Sequence, residues 1–234
     1  MDSPQGPFQC GLIILMKVEY INFRDRAERA EYVANRFKRF LSGRIIDVGC
    51  DHATLKRHLS NIDYIGVDVG GNPDIQLNLE EIHYLPFNDR VFDCVVCTDV
   101  LEHLNNLHHI FGELIRVAKR YLVLSLPNNW VNARGPIGRG KGSFGHYGLP
   151  ADPPRDRHKW FFNMSEAIDF IKSQEKRYPI SILELYAMEK PRNVFVRWLR
   201  RMLYPSQKCY LNRYAHTIWI VIERRGGGSE SELR

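Results

Sequence analysis

Cysteine is scarce in this chain, and a long apolar run is missing altogether. Five cysteines (Cys10, Cys50, Cys94, Cys97 and Cys209) in 234 residues form no disulfide framework and suit a reducing compartment. Cys94 and Cys97 make a CxxC, but both fall within the apolar run Val91–Cys97. Three positions apart on a strand, their side chains point to opposite faces. A redox or metal pair is therefore excluded, buried core positions are expected, and no metal centre is expected elsewhere. The apolar segment Gly11–Met16 is far too short to cross a bilayer. With no basic stretch before it and no small-residue cleavage site after it, a signal peptide is not expected.

What is present fits one folded domain. Its 234 residues suffice for a single α/β core and fall short of two large ones. A single domain is expected over residues 1–225, followed by a polar, glycine-rich, disordered tail at 226–234. The net charge of +6 points to an anionic partner (nucleic acid, phosphorylated ligand or membrane surface) or to cations scattered on a solvated face.

The most informative stretch is Arg44–Leu59, RIIDVGCDHATLKRHL. β-Branched Ile45, Ile46 and Val48 carry Asp47 to a strand end, Gly49 permits a sharp turn, and a helical pattern opens at about Ala53. Strand, glycine turn and helix N-terminus form a nucleotide cradle. A second strand, Tyr64–Asp68, ends in an acid placed to accept from both hydroxyls of a ribose. A third is expected at Asp74–Leu79, joined only by Val69–Pro73. That link is too short for the crossover helix parallel neighbours usually need, so the two strands either lie apart in the sheet or share a pared-down loop.

Further strands are expected at Val91–Cys97, Tyr121–Leu126, Ile180–Met188 and His216–Glu223. Helices are expected at Arg24–Leu41, Leu104–Lys119 and Met164–Ser173, the last N-capped by Asn163. The alternation predicts an α/β fold with a doubly wound, mostly parallel sheet of seven strands, an N-terminal helix, and a basic insertion at 192–214 before the last strand. Ligands of such sheets lie beyond the carboxyl ends of the strands, where Asp47, Asp68, Asn78, Thr98 and Asn128 converge. Asn128–Arg157, rich in glycine and proline, reads as a loop within a lid over 128–162. Gly135–Lys141 fits the GxxxxGK of a phosphate loop, but Gly142 replaces the magnesium-holding Ser or Thr, no clear strand immediately precedes it, and no helix follows. A flexible loop over the active site is expected instead.

DVGC (Asp47–Cys50), GVD (Gly66–Asp68), LPF (Leu85–Phe87), FDCVVCTDVLEHL (Phe92–Leu104) and SLPN (Ser125–Asn128) together resemble class I S-adenosylmethionine-dependent methyltransferases of the Rossmann-like, type 11 group. Each motif alone is weak; five in the family's order and spacing are specific. The resemblance implies S-adenosyl-L-methionine as cofactor. It implies that the Gly49–Cys50 backbone receives the methionine moiety, that Asp47 holds the turn, and that Asp68 takes the ribose hydroxyls. Asn78 and Leu79 would read the adenine, and Thr98 and Asp99 would line the methionine end. His103 would stand near the transferred methyl. The family's second and third turn glycines are here Asp51 and Ala53; Asp51 can still meet the methionine ammonium. The helix after Asp68 is missing or vestigial, and Asn78 replaces the adenine-side acid.

A hydroxyl acceptor would use a base, for which His103, His146 and His158 are candidates and Tyr147 a weaker one. Arg155, Arg157 and Lys159 could bind phosphate or an acidic sugar. The stretch YGLP…DRHKWFF more loosely resembles methyltransferases of bacterial surface-polysaccharide biosynthesis, implying O-methylation of a sugar or glycan intermediate in the cytoplasm. Asn193–Tyr204, NVFVRWLRRMLY, reads as a basic amphipathic helix for peripheral membrane contact and a lipid-linked acceptor, or as a helix docking its apolar side on the domain. The GxDHA turn (Gly49, Asp51, His52, Ala53) resembles bacterial tRNA adenine methyltransferases and keeps RNA as an alternative acceptor. A non-catalytic partner subunit is the third reading.

Overall fold

The structure is a computed structural model that describes residues 16–140, 146–154 and 156–226. Residues 227–234 of the tail expected to be disordered, all but Met16 of Gly11–Met16, Lys141 of the GxxxxGK stretch with Gly142 after it, and Arg155 lie outside the described residues. Eight strands form one sheet: β1 (Lys17–Tyr20), β2 (Arg44–Val48), β3 (Asp63–Asp68), β4 (Ile75–Gln76), β5 (Phe92–Thr98), β6 (Ala118–Pro127), β7 (Ile180–Glu189) and β8 (Ala215–Arg224). Their order is β1-β7-β8-β6-β5-β2-β3-β4. Only β8 runs antiparallel to its neighbours, β6 and β7.

The eighth strand corrects the expected seven. It is β1, which pairs in parallel with β7 from Lys17↔Tyr186 to Tyr20↔Glu189 and covers what would otherwise be an open edge. Nor do the second and third expected strands lie apart: β4 pairs directly with β3, Val67↔Ile75 and Asp68↔Gln76. Pairing is confined to the tip of β3, so the connecting chain reverses over a short distance and no helix is needed.

Six α-helices accompany the sheet among the described residues: α1 (Arg26–Arg36), α2 (Leu107–Val117), α3 (Asn129–Gly138), α4 (Met164–Gln174), α5 (Val194–Leu203) and α6 (Gln207–Tyr214). The expected Asn163 cap is present as a capping box with Glu166. The expected 128–157 loop is corrected by α3, which contains Gly135 and Pro136. Those residues disfavour a helix locally, but α3 packs against α6 and β8 and buries Asn129 and Ala133. With Gly135–Gly138 helical, this stretch has no phosphate-loop conformation. The helix expected from Ala53 is only a 3₁₀ turn, Thr54–His58.

Cys94 and Cys97 are both fully buried and lie on opposite faces. Cys94 packs with Val33, Phe37 and Trp219, and Cys97 with Ile46, Val48 and Phe111. The basic insertion is two helices, and α5 does not dock its apolar side on the domain, which corrects that alternative. The Arg197 guanidinium lies 4.0 Å from the Tyr20 ring centre, Arg200 4.2 Å from Tyr214 and Arg201 3.8 Å from Tyr210. Arg200 also pairs with the buried Glu189 at 2.6 Å. The cationic side therefore faces the protein, while Val194, Phe195, Trp198, Leu199, Met202 and Leu203 are exposed.

Candidate active site

A cavity of about 350 Å³ opens beyond the carboxyl ends of β2, β3 and β5. Asp47, Gly49, Cys50, Asp51, Asp68, Asn78, Leu79, Thr98, Asp99 and His103 all line it. The turn after β2 is built for close approach. Gly49 takes φ +81°, and a Cβ there would collide with Val100. Its N–H and that of Cys50 donate to the Val67 carbonyl at 2.8 and 3.3 Å, which folds the turn onto β3. Asp51 and Ala53, which stand where the resemblance expects glycines, both adopt left-handed backbone with φ 50°. The glycine-like conformation is kept, at a cost of about 1 kcal/mol or more for the alanine.

Asp68 ties the turn together: its carboxylate accepts from Asp51 N at 2.8 Å and Gly70 N at 3.1 Å. A carboxylate offers about four acceptor positions, so two stay available toward the cavity. Asp47 is 6 % exposed and accepts from the Tyr64 hydroxyl at 2.7 Å. Burial pushes its pKa up to about 6, opposed by the Tyr64 hydrogen bond. Burial likewise pushes the Cys50 thiol up to about 12, so it stays protonated and unreactive.

Two residues that the sequence reading missed, Arg26 and Arg29 of α1, also line the cavity. They form ion pairs with Asp51 and Asp99; the charged run of α1 was the one available signal. Asp99 has φ 53° and accepts from the Ser125 hydroxyl at 2.6 Å. Asn78 bonds locally to Glu81 and Glu80. Asn128, expected among the converging residues, does not line the cavity. It is fully buried, and its amide donates to the carbonyls of Leu211, Asn212 and Ala215 at 3.3, 3.0 and 2.7 Å.

His103, His146 and His158, alternatives in the sequence, form one cluster. Ring centres are 4.4 Å apart for His103–His158, 4.5 Å for the stacked His146–His158 and 5.4 Å for His103–His146. The backbone makes this happen: Lys159 N donates to Glu102 O at 2.8 Å, and the Trp160 indole donates to Leu104 O at 2.7 Å. These bonds pin the RHKWFF segment to the 3₁₀ turn Leu101–His103. Asp156 stands 2.5 Å from His103 Nδ1 and 3.2 Å from His146 Nδ1. His158 Nδ1 meets the Asn129 amide nitrogen at 2.9 Å and the Tyr147 hydroxyl at 2.8 Å. Burial lowers the pKa of His103 and pushes that of His158 down to about 4, so both rings are neutral at pH 7. Beside them Glu102 is 1 % exposed, and burial holds its carboxyl well above the usual range.

The comparisons with known proteins agree with this geometry. A family described as a methyltransferase domain matches residues 20–174. An uncharacterized protein of Methanocaldococcus jannaschii is 29% identical over 107 residues, covering 42% of this chain and 47% of that protein. The chain thus spans about half the length of this curated relative. Among solved structures, the small RNA methyltransferase HEN1 has a TM-score of 0.57 at 16% identity, over 91% of this chain and 27% of its own. A SAM-dependent methyltransferase from Archaeoglobus fulgidus has 0.53 at 15%, over 86% and 96%. The [4+2]-cyclase SpnF has 0.54 at 13%, over 92% and 88%. At these identities the three structures speak for the shared fold alone, and a cyclase among them means that the fold does not dictate one reaction. Rossmann-like sheet, glycine turn and matched family agree: this chain belongs to the methyltransferase-domain family.

Proposed function

We propose that the protein is an S-adenosylmethionine-dependent methyltransferase that O-methylates a sugar, a glycan intermediate or another small hydroxyl compound, including a lipid-linked one. The observation that carries this reading is the cavity itself. One space of the size small-molecule sites need is lined by the tight turn at Gly49, by Asp68 and by His103, and the rings of His146 and His158 stand against His103. The donor set fits the cofactor: Asp68 would accept from the ribose hydroxyls, the Gly49–Cys50 backbone would meet the methionine moiety, and Asn78 and Leu79 would face the adenine. When bound, the cofactor supplies an electrophilic methyl group. The chain's own task is to hold the acceptor in line and exclude water, with His103, His146 and His158 at the acceptor end.

RNA is the second reading, supported by the charge of +6. The arginines of α5 are turned onto the protein, which removes one basic surface RNA would use. Tritiated methyl transfer to extracted glycolipid and to bulk RNA separates the two. Label is expected in the glycolipid, and label confined to RNA would overturn the choice.

Peripheral membrane contact is proposed through the outward apolar side of α5, bordered by exposed Lys190, Arg192 and Lys208. No helix among the described residues is long and apolar enough to cross a membrane, so contact would be interfacial. The protein is expected to sediment with anionic vesicles. Replacing Phe195 and Trp198 together by serine should weaken that by at least ~100-fold, since each buried aromatic contributes roughly 1.5–3 kcal/mol. Equal sedimentation of the double variant would refute insertion by this helix.

A further inference from the structure

We propose that His103, His146 and His158 form a binding site for a divalent transition-metal ion at the acceptor end of the cavity. Each offers a ring nitrogen, and these nitrogens all lie within 4.8 Å of one another; His146 and His158 are stacked, so the half-exposed His146 ring has to rotate for its in-plane lone pair to converge with the others on one ion. Imidazole donors suit zinc, cobalt, nickel or iron, not magnesium or calcium, which prefer oxygen.

The surroundings support this assignment. The Asp156 carboxylate stands beside Nδ1 of both His103 and His146; neither contact is aligned as a hydrogen bond, but a small turn of the carboxylate would hold the proton on Nδ1 and leave Nε2 as the lone-pair nitrogen, as in metal-bound histidine. Glu102 is a second, independent sign. It is 1 % exposed, its Oε2 has no hydrogen-bond partner, and its Oε1 lies 3.7 Å from His103 Nε2. A buried carboxyl with an unmatched oxygen is costly, and a cation in the histidine cluster would offset that cost.

His158 sets a further condition. The Tyr147 hydroxyl oxygen can accept a hydrogen bond from a protonated Nδ1, whereas the Asn129 amide N–H, itself a donor, opposes a proton there. Metal binding therefore requires Asn129 to give way.

The ion's role, though not its binding, rests on the methyltransferase reading. His103 and Asp156 line the cavity, and His103 touches both other rings. An acceptor hydroxyl coordinated there would release its proton to water at lowered pKa. Its oxygen would bond to the methyl carbon as the carbon–sulfur bond breaks, with that electron pair remaining on sulfur.

Cobalt(II) titration of the metal-free protein, followed by visible absorption, tests the site without any methyl transfer. We expect the bands of a low-coordinate cobalt–imidazole site, displaced by zinc and unaffected by excess magnesium. His146→Ala should abolish the bands and Asp156→Asn should weaken binding about 10–100-fold, while His58→Ala, at an exposed position, leaves them intact. Asn129→Asp, which puts an acceptor against His158 Nδ1, should tighten binding; weaker binding in a variant that melts like wild type would overturn His158 as a ligand. Absence of the bands, or bands that survive His146→Ala, overturns the site. Asp68→Ala should keep them, so a failed cofactor reading and a failed metal site give different results.

Discussion

Asp68→Ala should weaken S-adenosylmethionine binding by roughly 10²–10⁴-fold in calorimetry. Two charge-assisted hydrogen bonds to the ribose, each contributing about 1.5–3 kcal/mol, set that scale. The same substitution strips the Asp51 and Gly70 N–H groups of their acceptor, so the melting temperature should fall as well. Asp68→Asn separates the two effects. Its single carbonyl oxygen can keep one backbone bond, which protects the fold better than the cofactor site. Wild-type affinity in Asp68→Ala would remove the ribose role, and no binding by folded wild type would turn the reading toward a non-catalytic partner protein.

Asp47→Asn should stabilise the protein at pH 8 and leave it little changed near pH 4. The folded-state pKa of Asp47 is pushed up to about 6 by burial, above the ordinary value of about 3.9. The stability tied to its protonated form is therefore complete below about pH 4 and is lost as pH rises through about 6, a loss on the order of 2–3 kcal/mol. Asparagine has no such titration, and its carbonyl can still accept from Tyr64. Urea denaturation at both pH values measures the difference; a variant less stable than wild type at pH 8 would contradict it. Cofactor binding should move the other way. A cationic ligand favours ionised Asp47, so wild-type affinity should rise with pH between 5 and 7.5 and the variant should lose that dependence.

Most of the cradle was legible because its parts are local. Ile45, Ile46 and Val48 make β2 from side-chain branching, Gly49 is required by a positive φ and by Val100, and Asp68 sits at the next strand end. Patterns of period two and 3.6 report such short-range constraints well. They misjudge segments where packing overrides propensity. Residues 129–138 look like a loop, yet α6 and β8 hold them as a helix. Lys17–Tyr20 is too short to stand out, and becomes a strand because β7 offers a free edge. Asn128 sits at a strand end like the other converging residues, but three carbonyls of the α6 end claim its amide.

By itself, then, the sequence determined the sheet class, the order of the motifs at the strand ends and the amphipathic stripe of Val194–Leu203. Each follows from residues within a few turns or one strand of each other. Tertiary structure alone decided that three histidines, two of them far along the chain from His103, share one site, because the bonds of Lys159 and Trp160 to the 3₁₀ turn bring them there. It also decided which side of α5 faces out. A stripe has two faces, and the choice depends on partners elsewhere in the chain: Tyr20, Tyr210, Tyr214 and Glu189 take the arginines, which leaves the apolar side to solvent.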